Sequence, residues 1–229
     1  LFRNTGALTV GVEPTAASED ARRQNHVVYN DFLSDSLAME IRDAHGAPDF
    51  IVFTNVFAHI ENLPEVIRCV EMMKGPNTAI VIENHYLGAI LKYNQFDTFY
   101  HEHPRTYSLS SFIRIAKSMG VSLSGVEFPS RYGGNIRVFL GGSTVQRQDF
   151  AEYADTTLKE STFLDQFGVL RSNLARWKAR KRQVIEALVE QHGRISAKAF
   201  PGRAAILIKL LGLDENTISA VNEKPGSMK

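Results

Sequence analysis

The sequence predicts an α/β fold built on a parallel sheet with crossover helices, and two observations carry that prediction. Residues 49–55 (DFIVFTN) and 78–83 (TAIVIE) are apolar runs without polar alternation, the pattern of strands buried on both faces. Between them lies a helix-compatible stretch that ends at the breaker Gly75-Pro76-Asn77, so strands and helices alternate along the chain.

The elements follow in order. Residues 8–13 form a β-rich run ending in Glu13 and then Pro14, and residues 16–26 are helix-compatible. Residues 27–33 suit a second short strand, and 36–45 a helix that stops at Gly46. The strand at 49–55, a helix over 64–73 and the strand at 78–83 come next. Residues 110–119 read as a helix capped by Ser110 or Ser111 and closed by Gly120. Strands over 122–128 and 136–140 flank Arg131-Tyr-Gly-Gly-Asn and suit an antiparallel pair at the sheet edge. Residues 141–143 (GGS) read as a linker. Residues 148–192 are rich in Leu, Ala, Lys, Arg and Glu and predict two helices, with the break near Phe167-Gly168. Residues 176–182 form a basic run, read as a solvated face because Trp177 and the Ile and Leu positions supply a buried stripe. A strand over 194–200, a helix over 203–211 and a strand over 218–221 complete the pattern. The expected division is a first domain over residues 1–143 and a second over 144–229.

Composition narrows the function. Hydrophobic residues make up 44% and charged residues 22% of the 229, ordinary globular values. A net charge of +1 gives neither the one-sided field of a nucleic-acid binder nor that of a membrane-surface protein. No apolar run approaches the roughly 18 residues of a spanning helix, and no signal-peptide pattern opens the chain, so the cytoplasm is the expected compartment. Cys69 is the sole cysteine, which leaves no internal disulfide and no cysteine-based zinc cluster; it reads as a small core residue.

The candidate chemistry lies at strand ends. Ligands of open parallel sheets bind beyond the carboxyl ends of the strands. Glu13 stands at such an end, where a carboxylate accepts both hydroxyls of a ribose; a solvent-facing role fits equally. His59 follows the strand at 49–55 and is read as structural or catalytic. Tyr100-His101-Glu102-His103 places four titratable side chains in a row, and Pro104 ends any helix there. Three readings stay open for this string. It could ligate a metal, although its spacing is not the i, i+4 pair of a helical zinc site. It could be a solvated loop. Or one imidazole acts as a general base beside a carboxylate, with a phenol to stabilise negative charge. No serine has the strand-to-helix elbow of a hydrolase nucleophile, and no phosphate-binding glycine loop of the P-loop type is present.

These residues resemble a known family. Tyr100-His-Glu-His, followed by Tyr107-Ser108-Leu109 and later by Tyr132-Gly-Gly-Asn-Ile-Arg137, looks like the sugar C-methyltransferases that modify nucleoside-diphosphate 4-keto-deoxysugars. Asn55-Val-Phe-Ala-His59-Ile is similar to the segment after their fourth core strand. Residues 199–203 (AFPGR) and 223–229 (EKPGSMK) are similar to their carboxyl-terminal domain.

The resemblance implies an α/β fold with a Rossmann-like class I methyltransferase core, here incomplete, a helical segment and a smaller carboxyl-terminal α/β domain. It implies S-adenosylmethionine as cofactor and a nucleotide sugar as substrate, methylated at C3. His103 matches the base, with Glu102 beside it and Tyr100 assisting, and His59 matches the histidine near the keto oxygen. Glu13, Asn55 and Phe57 are the implied cofactor-binding residues. Tyr107, Gly133, Gly134, Asn135, Arg137, Arg203 and Lys229 are the implied substrate-binding residues, with Asn135 where the family usually has Ser. No metal ligand is expected within the chain; zinc belongs to an amino-terminal region of the family that has no counterpart here. The chain opens at Leu1, and neither the first core strand nor its glycine-rich loop is matched. The expectation is therefore a piece truncated at both ends that binds cofactor weakly alone. Two other readings accompany the first, a sugar O-methyltransferase and a non-catalytic nucleotide-sugar-binding module.

Overall fold

The computed structural model describes residues 2–142, 151–198 and 204–222. The chain folds into two compact units, Leu1–Ile51 with Asn62–Ala79, and Val52–Glu61 with Ile80–Lys229.

In the first unit β1 (Val10–Val12) pairs in parallel with β2 (Val27–Tyr29), Val10 opposite Val27 and Val12 opposite Tyr29. The crossover is α1 (Ala17–Arg23). Two amphipathic helices carry the core. α2 (Asp35–His45) starts where the Ser34 hydroxyl accepts the amide of Leu37, and it stops at Gly46, whose φ of 77° suits a residue without a Cβ. α3 (Leu63–Met73) starts where Asn62 accepts the amide of Glu65. Leu37, Ala38 and Ile41 of α2 interlock with Cys69 and Met73 of α3, and Val10, Val12 and Tyr29 pack against that cluster. Cys69 is fully buried, as expected of a core residue, and burial pushes its thiol up to about 11, with the nearby Asp35 carboxylate adding to the shift.

A four-stranded sheet, most of whose residues belong to the second unit, has the order β3-β4-β6-β5, where β3 is Phe50–Thr54, β4 Ala79–His85, β5 Leu123–Glu127 and β6 Asn135–Gly141. β5 and β6 are antiparallel, and β5 forms the edge, as the sequence predicts. β4 is central, and Ile80 and Ile82 are buried. β3 differs from expectation. Its burial alternates, with Phe50, Val52 and Thr54 exposed, because it is the other edge strand and only one of its faces is covered. α4 (Leu87–Tyr93) follows β4 directly and was not evident in the sequence.

α5 (Leu109–Ser118) lays Leu109, Phe112, Ile115 and Ala116 against the core. Its cap is Ser108 rather than Ser110 or Ser111. Ser108 and Ser111 form a reciprocal capping box, which leaves the amides of Leu109 and Ser110 for another acceptor. That acceptor is Glu160, a buried carboxylate from α6 (Ala151–Glu160), at 2.7 and 2.8 Å.

α7 (Phe163–His192) runs unbroken through Gly168, so the expected break moves to Ser161-Thr162. There the two hydroxyls donate back to the carbonyls of Leu158 and Lys159 and close α6, whose last residue is tied to α5. Trp177 packs on Phe96, with ring centroids 4.9 Å apart. β7 (Ile195–Lys198) and β8 (Ile218–Asn222) pair in parallel, linked by α8 (Ala204–Leu211). Among the described residues no helix is long and apolar enough to cross a membrane.

Candidate active site

Two neighbouring hollows in the second unit are lined by Asn55, His59, His103, Gly133, Gly134 and Asn135 of the residues singled out in the sequence. The smaller, about 150 Å³, is lined by Asn55, Ala58, His59, Asn84, His85, His103 and Tyr132. It lies at the carboxyl ends of β3 and β4, where an open α/β sheet offers its ligand site.

β3 ends at Thr54, and Asn55 then takes a left-handed backbone conformation (φ 55°), which Asn tolerates better than most side chains. The turn feeds a short helical segment, Phe57–His59, that delivers His59 to the cavity. Behind it Phe57 is buried against Phe53 and Tyr107, and the Tyr107 hydroxyl donates to the Phe57 carbonyl at 3.1 Å. Phe57 and Tyr107, expected to touch cofactor and substrate, line neither hollow. They brace the His59 segment from inside, and burial pushes the Tyr107 phenol up to about 12.

His103 stands 4.6 Å from His59 and 5.7 Å from His85, centroid to centroid. Its Nδ1 lies 3.0 Å from the Thr98 carbonyl oxygen. A carbonyl only accepts, so Nδ1 carries the proton, and in the neutral ring Nε2 carries the lone pair. Nε2 faces the Tyr100 hydroxyl at 3.5 Å, and that hydroxyl donates to Glu102 Oε2 at 3.1 Å. The order is therefore imidazole, phenol, carboxylate. Glu102 bonds to the phenol, and the group that orients His103 is the Thr98 carbonyl. His101 points to solvent, 3.9 Å from Glu102. Among the described residues no group of three or more His, Cys, Asp and Glu side chains has a metal-holding arrangement.

The turn carrying Tyr132-Gly133-Gly134-Asn135 separates the two hollows. Tyr132 is held at φ 54°, an unusual conformation for a bulky residue, and its ring faces His85. Gly134, at φ 124°, lies where a Cβ would overlap the Ala89 methyl group, so the turn needs glycine there. Gly133, Gly134 and Asn135 line the larger cleft of about 1010 Å³ beside Tyr86, Lys92, Phe128 and Phe163.

A buried polar network ties this turn to the first one. Glu83, 3% exposed, accepts from Asn135 Nδ2 at 2.8 Å and from Arg137 at 2.7 and 2.8 Å. Asn135 Nδ2 also reaches Asn55 Oδ1 at 3.3 Å, and the Asn55 amide donates to the Glu83 carbonyl at 2.7 Å. Burial alone would raise the Glu83 carboxyl; the Asn135 amide and the Arg137 guanidinium outweigh it and hold the group below its ordinary range. Arg137, expected at the substrate, lines neither hollow and is paired with Glu83 and Glu127.

Glu13 belongs to the first unit, at the carboxyl end of β1. Its Oε1 accepts from the Thr15 hydroxyl at 2.6 Å and the Thr15 amide at 2.9 Å, which together lower its carboxyl below the usual range. Arg203 and Lys229 lie outside the described residues.

The site also contains Asn84, His85 and Tyr132, which had not been assigned a role. The signal for the first two was present: Glu83-Asn84-His85 puts three polar residues in a row at the end of an apolar strand.

A family model described as a methyltransferase domain matches residues 1–123, more than half of the chain. The chain belongs to the methyltransferase-domain family. The expected Rossmann-like α/β class and the methyltransferase resemblance agree with that membership. The chain is 26% identical over 224 residues to the C-methyltransferase NovU of Streptomyces niveus, covering 95% of the chain and 53% of NovU. It thus spans about half the length of the curated relative it matches.

Among solved structures it is similar to a SAM-dependent methyltransferase from Archaeoglobus fulgidus (12% identity, TM-score 0.48, covering 61% of this chain and 78% of that one). It is also similar to the magnesium protoporphyrin IX methyltransferase ChlM of Synechocystis PCC 6803 with bound SAH (12% identity, TM-score 0.46, 61% and 66% covered).

Proposed function

We propose that this methyltransferase moves a methyl group from S-adenosylmethionine to C3 of a nucleoside-diphosphate 4-keto-deoxysugar, with His103 as the base. The observation that carries the reading is the Thr98 carbonyl on His103 Nδ1, which fixes the tautomer and directs a basic Nε2 towards Tyr100.

A carbon-bound proton next to a ketone is acidic enough for an imidazole when the enolate oxygen is stabilised. His103 Nε2 takes that proton, and the electron pair of the C–H bond moves into the enolate. The proton on Nε2 then faces the Tyr100 oxygen, whose own proton is committed to Glu102. The phenol thus offers its lone pair to the imidazolium, and the Glu102 charge supports it from the far side. His59, whose ring centroid lies 4.6 Å from that of His103, would face the enolate oxygen.

The residues present fit the ribose of the cofactor. Glu13 is kept ionised by Thr15, which occupies one oxygen, and a carboxylate retains further acceptor sites for a diol. When bound, S-adenosylmethionine would supply a methyl group from its positively charged sulfur, leaving as the neutral thioether.

The reading is tested by proton exchange with cofactor withheld. In D2O the chain should wash deuterium into C3 of dTDP-4-keto-6-deoxyglucose, and His103→Ala should abolish the exchange while leaving binding of the nucleotide sugar largely intact. An O-methyltransferase has no reason to exchange that proton, and neither has a binding module. Exchange at the unvaried rate in the His103 variant would overturn the assignment of the base.

A further inference from the structure

Asn84 is 1% exposed at the carboxyl end of β4 and lines the cavity that His59, His85 and His103 share. Its Oδ1 accepts the backbone amide of Ala58 at 3.2 Å. An amide N–H only donates, so this contact fixes which way the side chain is turned, and the other atom is Nδ2 with two protons to give. Nδ2 is buried and meets no acceptor among the described residues. Buried polar atoms of native proteins are nearly always satisfied, and a donor left over in a cavity lined by titrating groups calls for an acceptor brought by a ligand.

The chemistry of the cavity says which acceptor. The amide is neutral and cannot neutralise a phosphate, and a donor has no affinity for a cation. It suits a carbonyl oxygen, above all one that gains negative charge while a proton leaves the adjacent carbon. The amide is rigid before the ligand arrives, because one end sits in the central strand and the other is tied to Ala58. A fixed donor strengthens its bond as charge develops and needs no reorganisation, which is where transition-state stabilisation is largest.

We infer that Asn84 Nδ2 donates the hydrogen bond that holds the ketone oxygen of the substrate and stabilises the enolate formed when His103 removes the neighbouring proton. This rests on the function proposed above and adds to it a catalytic residue from a strand end that lies outside the Tyr-His-Glu-His string.

The test is Asn84→Asp, which retains an oxygen for the Ala58 amide and turns the donor into an acceptor by exchanging a single group. With dTDP-4-keto-6-deoxyglucose in D2O and no cofactor, the C3 exchange rate should fall on the order of 10²–10³-fold, the usual loss for one such donor. The affinity for the nucleotide sugar should change by much less. An exchange rate within threefold of the parent, or above it, overturns the inference. A second measurement needs no variant. In the 15N-labelled chain the Asn84 side-chain amide protons should shift downfield when the keto sugar nucleotide is added, and not when its 4-deoxy analogue is added. Unmoved signals overturn the inference. If the parent chain itself exchanges no C3 proton, the proposed function fails and this inference with it; if the parent and Asn84→Asp exchange alike, only the role of Asn84 fails.

Discussion

Glu83→Gln tests the network that joins the two turns of the site. The Glu83 carboxylate accepts Arg137 Nε and a terminal guanidinium nitrogen on Oε2, at 2.8 and 2.7 Å, and Asn135 Nδ2 on Oε1 at 2.8 Å. Glutamine can keep its oxygen towards Arg137, but its NH2 then meets the NH2 of Asn135, donor against donor. Asn135 can relieve that clash only by turning over, which gives up its bond to Asn55.

Removing one member of a buried ion pair costs about 3–5 kcal/mol. Arg137 is more than one-third exposed and keeps Glu127 at 2.7 Å, so solvent and the second carboxylate reduce the expected loss to about 2 kcal/mol. For a chain of this length that corresponds to a drop of about 4–8 °C in Tm. Trp177 is the sole tryptophan and packs on Phe96 in the second unit, so its fluorescence follows the melting of the relevant part.

The effect must also depend on pH, with a definite sign. The carboxyl is held below its ordinary 4.5 in the folded chain, so the unfolded chain takes up the proton first as pH falls. The stabilisation is complete above pH 4.5 and is lost as pH falls through the lower, folded value. The parent and Glu83→Gln should accordingly differ most near pH 7 and converge in acid. Melting within 1 °C of the parent at pH 7, or an equal difference at acid and neutral pH, refutes the argument.

Two further outcomes follow from the helices of the second unit. Glu160→Gln replaces one oxygen of a carboxylate that fills both remaining amides at the start of α5 and also accepts from the hydroxyls of Tyr86 and Ser110. Loss of the charge and of one acceptor should cost about 2 kcal/mol, read as a lower urea midpoint at unchanged slope. Gly168→Ala has the opposite sign. Gly168 lies in the exposed interior of α7 with open space where a Cβ would sit, so alanine should stabilise by about 0.5–1 kcal/mol and raise the melting temperature by a few degrees.

Local chemistry made much of the molecule legible in advance. Apolar runs fixed β4, Gly46 fixed the end of α2, and the Gly133-Gly134 pair marked the turn between β5 and β6. The Tyr-His-Glu-His string located one wall of the cavity. Where periodicity misled, a long-range contact was responsible. Gly168 is a breaker by propensity, yet helix formation outweighs a cost of about 1 kcal/mol, and the true break falls beside Glu160, which α5 captures.

The site residues divide in the same way. That a histidine follows β3 and another follows Tyr100 is written in the chain, but whether they meet depends on how four strands are ordered. The sequence by itself determined the alternation of strands and helices and the chemical types at the strand ends, because these depend on neighbours a few positions apart. Only the tertiary structure decided that Arg137 is spent on Glu83, that Tyr107 braces Phe57, and that Asn84 faces the histidines with a donor to spare. Each of those outcomes is a choice of hydrogen-bond partner across about 26–54 positions of chain, and a polar side chain carries no local mark of which distant partner the fold will bring to it.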